Sequence, residues 1–265
     1  MPERPSLPAS AILALALGLA PLAPSNTALA LFNSALDPMG YGSANTQAKL
    51  QGIYNTATAL LATAGSASAT SQLPISAGTV TALTNLGLTG ITIDNLPYFL
   101  ASVQAYSPAT SLDNVAAFQS LLSAANAAME AAQALAVIAN FGNTVADAAP
   151  VLNDFATAGI TGVTQNLLGT DTSGLLAYIK ALPTSATDTV AEVQAIVDAY
   201  TALSGLADAT AGSGSPALTT TDFAALLAGA NIGNSASGPA NNANAASLLS
   251  SVIDGLPLSA VDTQA

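Results

Sequence analysis

The 265 residues carry fifteen acids against three bases (Arg4, Lys49, Lys180), for a net charge of −12, and they contain neither cysteine nor histidine. That balance repels nucleic acid and anionic lipid, and it argues against both as partners. The missing Cys and His exclude disulfides and remove the usual ligands of zinc, iron and copper. With 51% hydrophobic but only 5% aromatic and 7% charged residues, Ala, Leu and Val fill the core, and Thr, Ser, Asn, Gln and Ala cover the surface.

The N-terminus fits two descriptions. Met1-Pro2-Glu3-Arg4, the apolar run Ala11 to Ala20 and the A-x-A sequence Ala28-Leu29-Ala30 have the layout of a secretory signal. Against this, Glu3 cancels Arg4, and Pro21 and Pro24 interrupt the approach to the cleavage site. Asn26 to Leu36 also resembles Thr172 to Leu182 further along the chain. Residues 1–44 therefore read as a partial helical repeat, with a signal peptide over 1–30 as the alternative. The apolar run is shorter than the roughly 20 residues a membrane span needs, and no span is expected elsewhere.

The dominant pattern begins next. Asn45-Thr46-Gln47-Ala48-Lys49-Leu50-Gln51-Gly52-Ile53 aligns with Asp113-Asn114-Val115-Ala116-Ala117-Phe118-Gln119-Ser120-Leu121 and with Asp188-Thr189-Val190-Ala191-Glu192-Val193-Gln194-Ala195-Ile196, and Asp262-Thr263-Gln264-Ala265 opens a fourth copy. The starts are 68, 75 and 74 residues apart. A fixed period of this size marks one supersecondary unit used several times. The expected organisation is helical repeats at 45–112, 113–187 and 188–261, with 262–265 starting a truncated further one.

Each repeat reads as three helices. In 45–112 the turn Gly87-Leu88-Thr89-Gly90-Ile91 follows the second helix. In 113–187 the spacing predicts a long first helix from Ser111 to about Asn140. A second runs from Thr144 to Ala158, with Asp147 three residues after Thr144. The turn Gly159-Ile160-Thr161-Gly162-Val163 leads to a third over about Asn166 to Leu182. Glycine at these turns permits the positive φ of a helix C-cap. In 188–261 the first helix starts at Asp188 or Thr189, where Thr189 and Glu192 form a capping box. Val190, Val193, Val197, Tyr200 and Leu203 make its apolar stripe, which continues to Ala211. A short helix follows Thr219, capped with Asp222 and facing inward through Phe223, Leu226 and Leu227. The looser turn Gly229-Ala230-Asn231-Ile232-Gly233 comes next. A last helix spans about Asn242 to Asp254, with Leu248, Leu249, Val252 and Ile253 inward. Pro97 and Pro150 fall within expected helices, at first turns or kinks. Leu88 to Asp94 is the one β-branched run worth naming.

The turn Ala158 to Val163, a third helix, and then Asp188 to Ala199 resemble the Ala-rich helical repeats of very large bacterial surface proteins, grouped with adhesins and biofilm-matrix proteins. More distantly they resemble the three-helix modules of albumin-binding surface proteins, which are shorter and more charged. The resemblance covers nearly the whole chain. It implies an all-α tandem array and a role as an extracellular spacer or adhesive stalk.

Candidate chemistry rests on the acids. Asp113, Asp188 and Asp262 hold one repeat position and read as helix caps that complement the positive helix end. The competing reading is calcium at repeat junctions, with Asp171 and Asp208 as further single carboxylates. Calcium takes six to eight oxygens, and no D-x-D-x-D-G loop occurs. Ser173 and Lys180 lack S-x-x-K spacing and sit seven residues apart on one helix. Glu192 and Asp198, six apart, diverge in angle and do not form a glycosidase pair. Tyr54, Phe99, Phe118, Tyr178, Tyr200 and Phe223 read as core. The expectation is a non-catalytic structural or adhesive segment of an exported bacterial surface protein, without cofactor or metal. Its partners would be other repeats, other copies, or a surface or matrix ligand. The alternatives are a self-assembling filament or surface-layer subunit and a binding module for a host or matrix protein.

Overall fold

Helix ends organise this chain, and most described helix N-termini are closed by short polar side chains. A computed structural model describes residues 26–39, 46–66, 73–142, 148–170, 172–210, 212, 216–228 and 237–261. Eleven α-helices appear among them: α1 (Asn26–Leu36), α2 (Gln47–Thr63), α3 (Ala77–Asn85), α4 (Leu96–Ala105), α5 (Val115–Asn140), α6 (Leu152–Thr157), α7 (Gln165–Leu168), α8 (Gly174–Lys180), α9 (Val190–Leu206), α10 (Thr220–Leu226) and α11 (Ala243–Ile253). Three 3₁₀ turns, Ala109–Ser111, Thr184–Ala186 and Leu258–Ala260, each follow a proline in extended conformation. No strand occurs among the described residues, so the fold is all-α.

The N-caps follow one rule. Thr46 accepts from the Lys49 N–H at 3.3 Å, Asn114 from Ala117 at 2.9 Å and Thr189 from Glu192 at 3.2 Å. Ser76, Thr164, Thr219 and Asn242 do the same for their helices. Each bond satisfies one of the orphan donors of a first turn. The cap is therefore the residue after the recurrent aspartate. Asp113 and Asp188 stand one position outside, which corrects their expected capping role; Asp262 lies outside the described residues.

The ends of α3 and α6 are closed alike. The Leu88 N–H donates to Leu83 O at 3.1 Å and the Gly87 N–H to Thr84 O at 3.0 Å. Likewise Ile160 donates to Phe155 O at 2.8 Å and Gly159 to Ala156 O at 3.1 Å. These are Schellman turns, and Gly87 and Gly159 supply the positive φ (106° and 83°) they require. The next residues, Leu88 and Ile160, are buried.

A third closure recurs where two helices end side by side. Gly65 donates to Gln104 O at 3.0 Å, joining the ends of α2 and α4, and Ala209 donates to Leu256 O at 3.1 Å, joining those of α9 and α11. At the ends of α5 and α8, Gly142 lies so close to Lys180 that a Cβ would stand 2.5 Å from its carbonyl oxygen.

Two compact units result, up to Met129 and from Glu130. The first has its core among Phe32, Tyr54, Leu60, Leu86, Phe99 and Phe118, and the second among Phe141, Phe155, Ile179, Val197, Tyr200 and Phe223. The six expected core aromatics are all buried. The division falls inside α5, whose Phe118, Leu122 and Ala125 belong to the first core and Ala134 and Ile138 to the second. By length and composition α5 could cross a membrane, a property the sequence reading did not assign to it.

Several boundaries differ from expectation. α5 starts at Val115, because Ser111 belongs to the 3₁₀ turn. Residues 148–151 are not helical and α6 begins at Leu152, since Pro150 disfavours helix in the residue before it; Thr144 and Asp147 lie outside the described residues. The single third helix expected over 166–182 breaks into α7 and α8, where Gly169 and Gly174 take φ of 69° and 78°. α9 stops at Leu206, with Ala209 at positive φ, rather than running to Ala211. Pro97 occupies the first turn of α4, where a missing N–H costs nothing. Val190 is exposed, and of the expected inward residues of α11 only Ile253 is buried. The turn 229–233 and the segment 1–25 lie outside the described residues.

The glycines differ in what they would cost to replace. At Gly159 a Cβ meets nothing within 4 Å, so Gly159→Ala should cost only the left-handed backbone penalty, about 1 kcal/mol. At Gly142 (φ 93°) the same change adds a collision with Lys180, and the loss should reach about 3 kcal/mol. Urea midpoints of the two variants should separate by that difference.

Candidate functional site

Two glutamines reach across the sequence to glycine turns in the same way. Gln119, on α5, accepts the Thr89 N–H at 3.0 Å and donates its side-chain amide to Thr89 O at 3.0 Å. Gln194, on α9, clasps Thr161 in the same way at 2.8 Å and 3.1 Å. Each glutamine therefore pins both backbone groups of the residue at the centre of a glycine turn. Gln194 also donates to Asp198 at 2.8 Å, as Gln51 does to Asn55. These clamps were missed in the sequence. Their signal was the shared position of Gln51, Gln119 and Gln194 in the repeated sequence, together with Thr89 and Thr161 inside the turns that open at Gly87 and Gly159.

Buried Asn95 fixes the first turn further. Its side chain accepts from the Thr92 N–H and donates to Gly90 O and to Asn126 of α5, each at 2.8 Å. Donors and acceptor are all used, as a buried amide requires.

The acidic candidates are spread among separate local tasks. Glu192 accepts from the Thr189 N–H at 3.1 Å and from its hydroxyl at 2.8 Å. The Thr189 hydroxyl holds Glu192 below the usual glutamate range. Asp188 is raised above its ordinary value by its hydrogen bond with Glu192 and by the charge of Glu192. Asp113 accepts from Asn114, Asp208 from the Thr210 N–H, and Asp198 from Gln194. Asp171 lies outside the described residues. The structure does not bring Asp113, Asp188 and Asp208 together as calcium ligands. No group of three or more metal-ligating residues occurs among the described residues. Ser173 bonds Thr170 at the head of α8, while the Lys180 ammonium stands over the Phe141 ring at its end. Glu192 and Asp198 are each engaged on their own helix.

Two hollows lie on the described surface. One, of about 940 Å³, lies in the first compact unit between α2 and α3, lined by Met39, Gly52, Ile53, Ala82 and Asn85, with Lys49 the ionisable group on its wall. The other, about 340 Å³, is lined by Gln133, Val137, Asn140 and Ala148. The first offers apolar contact, the Thr56 and Thr84 hydroxyls and the Lys49 ammonium, and the second offers apolar contact and amide hydrogen bonds. No family model, curated protein or solved structure matches the chain.

Removing one clamp should act at its turn. Gln194→Ala should lower stability by about 1 kcal/mol, the net worth of an ordinary hydrogen-bond pair, and raise amide exchange at Thr161. Gln194→Glu should cost more at neutral pH. It loses the donor to Thr161 O and sets a carboxylate beside Asp198.

The capping box gives a pH dependence with a definite sign. Glu192, lowered in the fold, contributes stability that is present above the ordinary glutamate value and is lost as pH falls through its folded-state value. Asp188, raised, acts oppositely and loses stability as pH climbs past the ordinary aspartate value. Thr189→Ala should cost about 1 kcal/mol through the lost cap and weaken the acid-side loss that Glu192 contributes. Asp188→Asn should raise the neutral-pH midpoint. Urea titrations between pH 3 and 7 read both effects.

Proposed function

We propose that this chain is a non-catalytic helical-repeat segment of an exported bacterial surface protein, serving as a spacer or adhesive stalk outside the cell. The observation that carries this reading is one closure plan met three times. Thr46, Asn114 and Thr189 cap a first helix. Gly65, Gly142 and Ala209 bring its end against that of a third helix. Prolines 108, 183 and 257 then open a 3₁₀ turn. On this reading the chain is a tandem array of three-helix repeats, 45–112, 113–187 and 188–261. Its partners are neighbouring repeats and a surface or matrix ligand. Stacked repeats suit such a role because each depends mainly on its neighbours, and length can grow without a new core. The absence of cysteine from the sequence accords with export without oxidative folding.

The exposed apolar side chains Leu248 and Val252 favour one second reading, a subunit that assembles with copies of itself. Sedimentation velocity at rising concentration separates the two. A spacer stays monomeric, and a filament or layer subunit grows. The tandem arrangement has its own test. In Gly159→Val, hydrogen exchange should rise mainly from α6 to α9 while α2 and α3 stay protected. Uniform loosening of the chain would mean one cooperative globule and would overturn the modular reading.

A further inference from the structure

The hollow of about 940 Å³ beside α2 falls in the size range of small-molecule sites, roughly 300–1,000 Å³. Its walls come from three places in the first compact unit: Met39 after α1, Lys49, Gly52 and Ile53 on α2, and Ala82 and Asn85 on α3. Two of these residues are particular to this copy of the repeated sequence. Lys49 stands where the other copies have Ala117 and Glu192, and Gly52 where they have Ser120 and Ala195. A glycine inside a helix destabilises it relative to alanine. No contact within the chain requires this one, since a Cβ built at Gly52 meets nothing within 4 Å. The missing side chain leaves the α2 backbone bare along the hollow, beside buried Ile53.

The polar groups of the wall select for charge. Thr56 and Thr84 commit their hydroxyl protons to Gly52 O and Val80 O. Lys49 carries three N–H donors, enough to keep contacts within the chain and to hold an anion as well. It is one of three bases in a chain of net charge −12. The distant acids oppose an anion only weakly, because exposed charges more than about 8 Å away are largely screened at physiological salt. Asp37, next to Pro38 of the wall, is exposed to water. A lysine ammonium is a compact point charge rather than a planar fork, so it asks for one negative head and not for a particular acid.

We propose that this hollow binds a small anionic amphiphile, with an unbranched apolar chain lying along Gly52 and Ile53 and its negative head at Lys49. The site lies within one compact unit, so it stands or falls apart from the tandem reading.

The test titrates dodecanoate, held below its micelle-forming concentration, into the full chain while NMR follows the backbone amides. Shifts should saturate and centre on Gly52, Ile53 and Ala82. Lys49→Gln should weaken binding by about tenfold, the loss of one charge-assisted contact, and Lys49→Arg should preserve it. Gly52→Leu should fill the hollow and abolish binding while circular dichroism stays that of the parent chain, because its Cβ meets nothing and leucine favours a helix. Dodecyltrimethylammonium, with the same chain and a cationic head, should bind no better than dodecanoate binds the Lys49→Gln variant. Shifts that never saturate, that survive Gly52→Leu, or that gather on exposed Leu248 and Val252 of α11 would overturn the proposal. So would unchanged affinity in Lys49→Gln or equal affinity for the cationic probe.

Discussion

The glycine turn after a short helix is the constraint on which its surroundings depend. α3 has nine residues and α6 only six, lengths at which an isolated helix does not hold in water. They persist because their ends are closed and one face is buried. The closing glycine reverses the chain and sends Leu88 or Ile160 into the core. It also brings the backbone of Thr89 or Thr161 to the glutamine of a long helix. One backbone conformation thus sets a cap, a core contact and a long-range clamp. A residue that resists positive φ at Gly87 or Gly159 disturbs all three.

A second constraint is the shortage of charge and of large side chains. Threonine and serine are poor helix formers because their hydroxyls compete for the backbone. Here many hydroxyls turn that competition inward. Thr56 donates to Gly52 O, Thr63 to Ala59 O, Thr84 to Val80 O, Ser120 to Ala116 O and Thr201 to Val197 O. Each bonds the carbonyl four residues back in its own helix. The hydroxyl is satisfied locally and the methyl of threonine remains for packing. A helix surface can then be built with few ion pairs and still have its polar groups occupied.

What could be read from the residues follows the range of the interactions. Caps act over three residues, so Thr189-x-x-Glu192 and Thr219-x-x-Asp222 were legible and hold. Positive-φ glycines at 87 and 159 were legible from the turn pattern, and so were the buried aromatics. The aspartate beside each cap misled, because Asp and Thr are both good caps and only geometry chooses between them. The break at Gly169 to Gly174 was hidden because the apolar period of Leu167, Leu175 and Ile179 passes across it. The clamps span 30 and 33 residues, beyond any local rule. On α11 the stripe of Leu248, Leu249 and Val252 was expected inward, and the structure leaves it exposed. Whether a stripe is buried depends on a neighbour, and no helix's own sequence contains that information.

These ranges bear on function as well. A site for chemistry needs polar groups from separate elements converging on one point in fixed geometry. In this chain several acids are engaged within four residues of themselves, Glu192 on Thr189, Asp222 on Thr219, Asp154 on Val151 and Asp208 on Thr210, while Asp254 accepts from the Gly212 N–H across the sequence. The long-range polar contacts of Gln119 and Gln194 end on backbone groups of turns, and that of Asn95 ends on the Asn126 side chain. Polar chemistry in the described helices therefore goes into closing helix ends and fixing the angle between one helix and the next. That use of side chains accords with the proposed stalk, whose output would be shape and reach.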